Sequence, residues 1–196
     1  MCRSVNRNDF GRKFDYSSWM INGSELSAAQ REMDAIFDSF FEISDSLRDD
    51  VSFILDMPAQ DTAVWRRAFI RTVVPLIEGL AYCYLRISHA DRELSPEGKE
   101  KLNPDRKQST PDRVKSALLS IFTKLHVSPK PDFSGIGWAN AKRLMRSRDA
   151  LMHPKTPESL NFSESDWNRI YAGAIWILGE FFRLPELLGK KFSDNA

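Results

Sequence analysis

Apolar residues return along most of this chain at alternating three- and four-residue steps, the spacing that lines one face of an α-helix. The first stripe comprises Met33, Phe37, Phe40, Leu47, Val51 and Ile54, with Ser44 as its polar member. It predicts a long helix from about Ser24 to Met57-Pro58. A second stripe begins near Asp61 and runs to about His89 through Trp65, Phe69, Val73, Leu76, Leu80, Cys83 and Ile87. Pro75 lies inside it and is the expected site of a bend. Val114, Leu118, Ile121 and Leu125 mark a third helix that ends before Pro129. It is entered at Thr110-Pro111, where the hydroxyl is expected to cap and the proline to fill the first helical position. A fourth, short helix opens between Ser134 and Gly137 and ends at His153-Pro154, because the residue before a proline is pushed out of the helical region. The fifth is capped by Ser163, with Asp166 at the capping-box position and Trp167, Ile170, Tyr171, Ala174, Ile177, Leu178 and Phe181 behind it. Pro185 is expected to close it.

No segment alternates with period two for long enough to form a strand, and no internal repeat is found. The pattern therefore predicts an all-α protein, an antiparallel bundle of four to five helices in one domain spanning residues 23–189. Residues 1–22, polar and without helical periodicity, read as a flexible N-terminal arm, and 190–196 as a C-terminal tail. Residues 90–110 collect Ser, Pro, Gly, Asn and charges, and predict a long loop with one short helical turn.

Composition narrows the function. The 196 residues carry a net charge of +1 with 28% charged side chains, so any anion site must be local and not a property of the whole surface. Cys2 and Cys83 form no disulfide framework and no zinc spacing, which fits a reducing cytoplasm. The N-terminus lacks the apolar core of a signal peptide, and the longest apolar run, Val73 to Leu85, contains Glu78, so no membrane association is expected. Phosphate-binding glycine loops, dinucleotide fingerprints, HExxH and nucleophile elbows are all missing from the sequence. Histidines stand apart at 89, 126 and 153. Neither a metal nor another cofactor is expected.

What remains is the stretch from Lys142 to Lys155. It holds Lys142, Arg143, Arg146, Arg148, Lys155 and His153 against the single acid Asp149. Such a cluster suits a phosphate backbone. Within it, Arg148, four intervening residues and then His153, with the polar Asp149 directly after the arginine, resembles the signature of the HEPN superfamily of ribonucleases: Arg, four to six residues, His. Arg146 satisfies the same rule at the longer spacing. The apolar second helix, WRRAFIRTVVPLIEGLAYCYL with its lone carboxylate Glu78, is similar to the long helix of many such proteins. The resemblance covers roughly residues 61 to 183.

The resemblance implies metal-independent endoribonuclease activity of the toxin or phage-defence kind, in a homodimer whose motif helices meet in one composite cleft, alongside an antitoxin or regulatory partner. Five residues at 100° each place Arg148 and His153 about 140° apart on a straight helix, so one helix does not aim both at one atom, and a two-fold dimer resolves this. In this reading His153 is the general base or acid, Arg148 stabilises the phosphorane and Asp149 orients either of them. Arg143, Arg146 and Lys155 bind RNA. Glu78 gives structural support by pairing with Arg71 or Arg148. One subgroup of the family carries, two residues after the histidine, a tyrosine that a partner nucleotidyltransferase modifies. Lys155 stands there, so silencing by that route is not expected. The competing class is a non-catalytic helical module for binding RNA or protein, in which Arg148 braces the bundle and His153 ends a helix.

Overall fold

In the computed structural model the described residues are 28–57, 62–90 and 94–193. The expected arm at 1–22 and the side chains of Met33, Phe37 and Phe40 lie outside them. The described residues form six α-helices and one short 3-10 turn, with no strand among them: α1 (Ala28–Leu55), α2 (Ala63–His89), α3 (Pro96–Leu102), α4 (Thr110–Lys124), α5 (Ile136–Met152), the 3-10 turn Pro157–Leu160, and α6 (Glu164–Ser193). The protein is an all-α bundle.

α2 is its axis, packed against α1, α4, α5 and α6. Trp65, Phe69, Val73, Leu76, Leu80, Cys83 and Ile87 are all buried, and so are the residues between them on the inner faces, among them Ile70, Val74, Ile77 and Leu85. Contact with helices on several sides explains why α2 is apolar around much of its circumference. Among the described helices it is the one long and apolar enough to cross a membrane, and 61% of its most apolar stretch is buried inside the bundle. A core helix has this composition for packing reasons alone.

Cross-contacts set the directions. Trp65 Nε1 donates to the Ile54 carbonyl at 2.7 Å and the Gly79 region faces Ile43 and Leu47, so α1 runs antiparallel to α2. Thr110 meets Glu78 and Ser120 meets Ser88, so α4 points the same way as α2. The stretch between α2 and α4, which contains the seven-residue α3, carries the chain back to make this possible. Arg66 pairs with Glu164 at 2.5 Å and the Tyr84 hydroxyl donates to the Phe181 carbonyl at 2.9 Å, which aligns α6 with α2 as well. α5 runs against both.

α5 and α6 approach most closely where side chains vanish. A Cβ on Gly173 would lie 2.4 Å from the Asn140 carbonyl, and one on Gly137 would lie 2.4 Å from the Trp176 ring. Only glycine permits this contact. An aromatic cluster of Phe133, Trp138 and Trp176 closes one end of the pair, and Trp65, Phe69, Trp167 and Tyr171 close the other against α2.

Three expected boundaries differ. Ser109, not Thr110, caps α4: its hydroxyl accepts from the Asp112 N–H, and Pro111 sits one position further in. The Thr110 side chain is committed elsewhere. The fourth expected helix, α5, is 17 residues long and therefore not short. α6 continues through Pro185 to Ser193, so residues 190–193 are helical and not part of a tail. A proline forfeits one backbone hydrogen bond, and a helix anchored by buried Phe181 and Leu184 tolerates that loss. α2 likewise runs through Pro75. Ser163 caps α6 as expected, accepting from the Asp166 N–H at 3.1 Å.

Candidate functional site

α5 carries most of the basic stretch, and its burial pattern fixes which side chains leave it. Trp138, Ala141, Leu144, Met145 and Leu151 are buried, which turns Arg143 and Arg146 outward and leaves Arg148 half-buried at the edge. The helix begins at Gly135 without a side-chain cap of its own. Just before it, Asp132 accepts from the Ser134 hydroxyl at 2.6 Å and the Ser134 N–H at 2.8 Å. These bonds, the hydroxyl's first, hold the Asp132 carboxyl below its ordinary range.

Arg148 is held from two sides. Its Nη2 lies 3.8 Å from Glu78 Oε2 on α2, and its Nη1 donates to Asp149 Oδ1 at 3.2 Å. Glu78 is in turn fixed by the Thr110 hydroxyl, which donates to Oε1 at 2.7 Å. Three helices thus meet at one guanidinium: α5 supplies it, α2 the carboxylate, and the first turn of α4 the hydroxyl that orients the carboxylate. The Arg148 side chain remains 31% exposed, so it faces solvent while its position is defined. Of the two arginines expected as partners of Glu78, it is Arg148 that takes this place.

His153 is the C-cap of α5, with φ −130° and ψ 62°, and its backbone N–H donates to the Asp149 carbonyl at 3.1 Å. Its ring is exposed. The backbone therefore makes the cap and leaves the imidazole uncommitted. Asp149 serves both residues, through its carboxylate to Arg148 and its carbonyl to His153. The side chains of Arg148 and His153 share no hydrogen-bond partner among the described residues. The arginine turns toward α2 and α4, and the histidine lies beyond the end of α5.

The other expected contacts divide. Arg143 is exposed but engaged by Asp166, which also closes the Ser163 cap, so its charge braces the α5–α6 pair. Arg146 and Lys155 are exposed, with no ion-pair partner among the described residues.

Two residues that matter here were not singled out for this role by the sequence pattern. Arg67 donates to the Leu160 carbonyl at 3.2 Å, and Arg71 to the Leu151 carbonyl at 3.3 Å. They stand one turn apart on α2 and grip the His153 segment at both ends, the last turn of α5 and the end of the 3-10 turn. Carbonyl recognition leaves no trace in composition, and only their four-residue spacing on the polar edge of an apolar helix hinted at a shared task.

Chemically, the arrangement offers a uncommitted imidazole on a pinned loop, a positioned guanidinium five residues before it, and two further exposed cations. Among the described residues no three His, Cys, Asp or Glu side chains group as metal ligands would. Comparison of the chain with known proteins finds no matching family model, no matching curated protein and no matching solved structure.

Proposed function

We propose that this protein is a metal-independent endoribonuclease that acts as a homodimer in the manner of toxin or phage-defence ribonucleases, with His153 and Arg148 as its chemical groups. The observation that carries this reading is the exposed imidazole of His153 at a helix end whose backbone and flanks are pinned by Asp149, Arg71 and Arg67. A structural histidine has no need of such support for an idle ring.

RNA brings its own nucleophile. A base removes the 2′-hydroxyl proton, the 2′-oxygen bonds to phosphorus, the bond to the 5′-oxygen breaks, and an acid protonates that oxygen. The products are a 2′,3′-cyclic phosphate and a 5′-hydroxyl end. An imidazole serves as base or acid near neutral pH, and two copies of His153 across a two-fold axis supply one of each. Arg148 contributes a permanently charged fork to the phosphorane oxygens, where charge develops. Arg146 and Lys155, exposed and without an ion-pair partner among the described residues, contact flanking phosphates. Arg143, engaged by Asp166, supports the scaffold.

A second reading has its own observation. Arg148 is bound by Glu78 and Asp149, as a brace between helices would be, and a non-catalytic RNA- or protein-binding module would keep that pair permanently closed. Cleavage assays in EDTA separate the two. The ribonuclease reading expects wild type to cut RNA, and His153→Ala and Arg148→Ala to lose about 10²- to 10⁴-fold in rate while still folded. RNA binding without cutting by any form would move the assignment to the module.

A further inference from the structure

α2 carries Tyr82, Arg86 and His89 at four- and three-residue steps, so all three leave one face of its last turns. That face and the turn after α3, where Asn103 and Asp105 lie, enclose an open cleft of about 450 Å³. This is the volume range of small-molecule sites. It does not include the Arg148–His153 pair.

The lining is chemically mixed in a specific way. Arg86 is half-buried and, like His89 and the Tyr82 hydroxyl, has no hydrogen-bond or ion-pair partner among the described residues. A partly desolvated guanidinium without a carboxylate is costly unless an anion faces it. Glu78, one turn before Tyr82 on the same face, does not supply one, because Thr110 and Arg148 engage it. Among the described lining residues the acid is Asp105, whose N–H donates to Asn103 Oδ1 at 2.9 Å and so fixes the turn. Its carboxylate is exposed and pairs with no cation among the described residues.

A guanidinium and an imidazole on one wall and a carboxylate on the other do not suit a bare anion, which the carboxylate would repel. They suit a molecule with an anionic end and a hydroxylated end. We propose that the cleft binds a small sugar phosphate, with the phosphate between Arg86 and His89 and a sugar hydroxyl donating to Asp105. The forked guanidinium matches two phosphate oxygens, and the imidazole adds a third donor. This site stands apart from the ribonuclease reading and does not depend on it.

Amide spectra of the ¹⁵N-labelled full chain, titrated with ribose 5-phosphate, ribose and inorganic phosphate, test it. The sugar phosphate is expected to shift the Ala90, Asn103 and Asp105 amides, and to bind roughly ten- to a hundredfold more tightly than either fragment. Arg86→Gln and His89→Gln should each weaken it by a comparable factor. Absence of shifts with the wild-type chain, equal binding of ribose, or shifts confined to the Lys142 to Lys155 stretch would overturn the proposal.

Discussion

Glu78 illustrates how one side chain can decide the state of another across helices. Its carboxylate is oriented by Thr110 and faces Arg148, so Glu78→Gln keeps the shape and removes the attraction. The ribonuclease account expects this variant to fold normally and to cut RNA roughly ten- to a hundredfold more slowly in single-turnover assays, because the guanidinium loses its set position. Cys83 offers a test of the core at the same scale. Burial pushes its thiol up to about 11, and nearby Arg86 offsets only part of that. A folded pKa above the ordinary value of 9.0 means stability that is complete below pH 9 and lost as pH rises toward about 11, where the unfolded thiol ionises and the buried one resists. In a Cys2→Ser background, Cys83 should therefore resist a thiol-reactive disulfide reagent at pH 8 until denaturant is added. Prompt reaction in the native state would contradict the packing described. Gly173 completes the set. Gly173→Ala would force a methyl group to 2.4 Å from the Asn140 backbone, and urea unfolding should report a loss of about 1–3 kcal/mol.

Helices were legible in the sequence because the stripe of α2 is buried throughout and those of α4 and α6 nearly so, with Leu125 and Tyr171 partly buried; on α1, among the described side chains of its stripe, Ser44 and Val51 are buried and Leu47 and Ile54 partly buried. Their ends were less so. Thr110-Pro111 has the form of a cap followed by a first helical proline, yet Ser109 competes for the same N–H groups and wins, which frees Thr110 to bind Glu78. The end of α4 had no glycine to announce it. His126 takes the left-handed conformation there, at φ 51°, with the Val127 N–H donating to the Phe122 carbonyl at 3.0 Å and the His126 N–H to Thr123 at 3.2 Å. These are the two bonds of a Schellman motif. His126→Gly should accordingly raise stability by about 1 kcal/mol, read as a higher urea midpoint with an unchanged slope. At the candidate site, sequence located Arg148, His153, Asp149 and Glu78 through charge and spacing. It did not reveal the grip of Arg67 and Arg71, since bonds to carbonyls depend on where the loop returns. Removing both, as Arg67→Ala with Arg71→Ala, should speed hydrogen exchange between Leu151 and Leu160 while the core amides of α2 stay protected.

For the whole molecule, the bundle explains why a chain of nearly neutral charge can present one basic edge. α5 is clamped by α6 through two glycines and by α2 through Arg71, so its cations are fixed relative to the core. Within one chain Arg148 is held toward Glu78 while His153 caps the end of α5, and the proposed chemistry requires a second copy to complete the cleft. Met152, next to His153 and 51% exposed, is the apolar residue best placed to sit at that junction. Met152→Glu is expected to shift the protein toward monomer in sedimentation equilibrium and to depress cleavage in parallel. The most direct test of the ribonuclease assignment compares wild type with His153→Ala in EDTA, on an all-ribose oligonucleotide and on its 2′-deoxy counterpart, with the new ends read by mass spectrometry. The account predicts 2′,3′-cyclic phosphate ends from wild type on the ribose strand alone. Cutting of the 2′-deoxy strand, or cutting by His153→Ala at the wild-type rate, would contradict it.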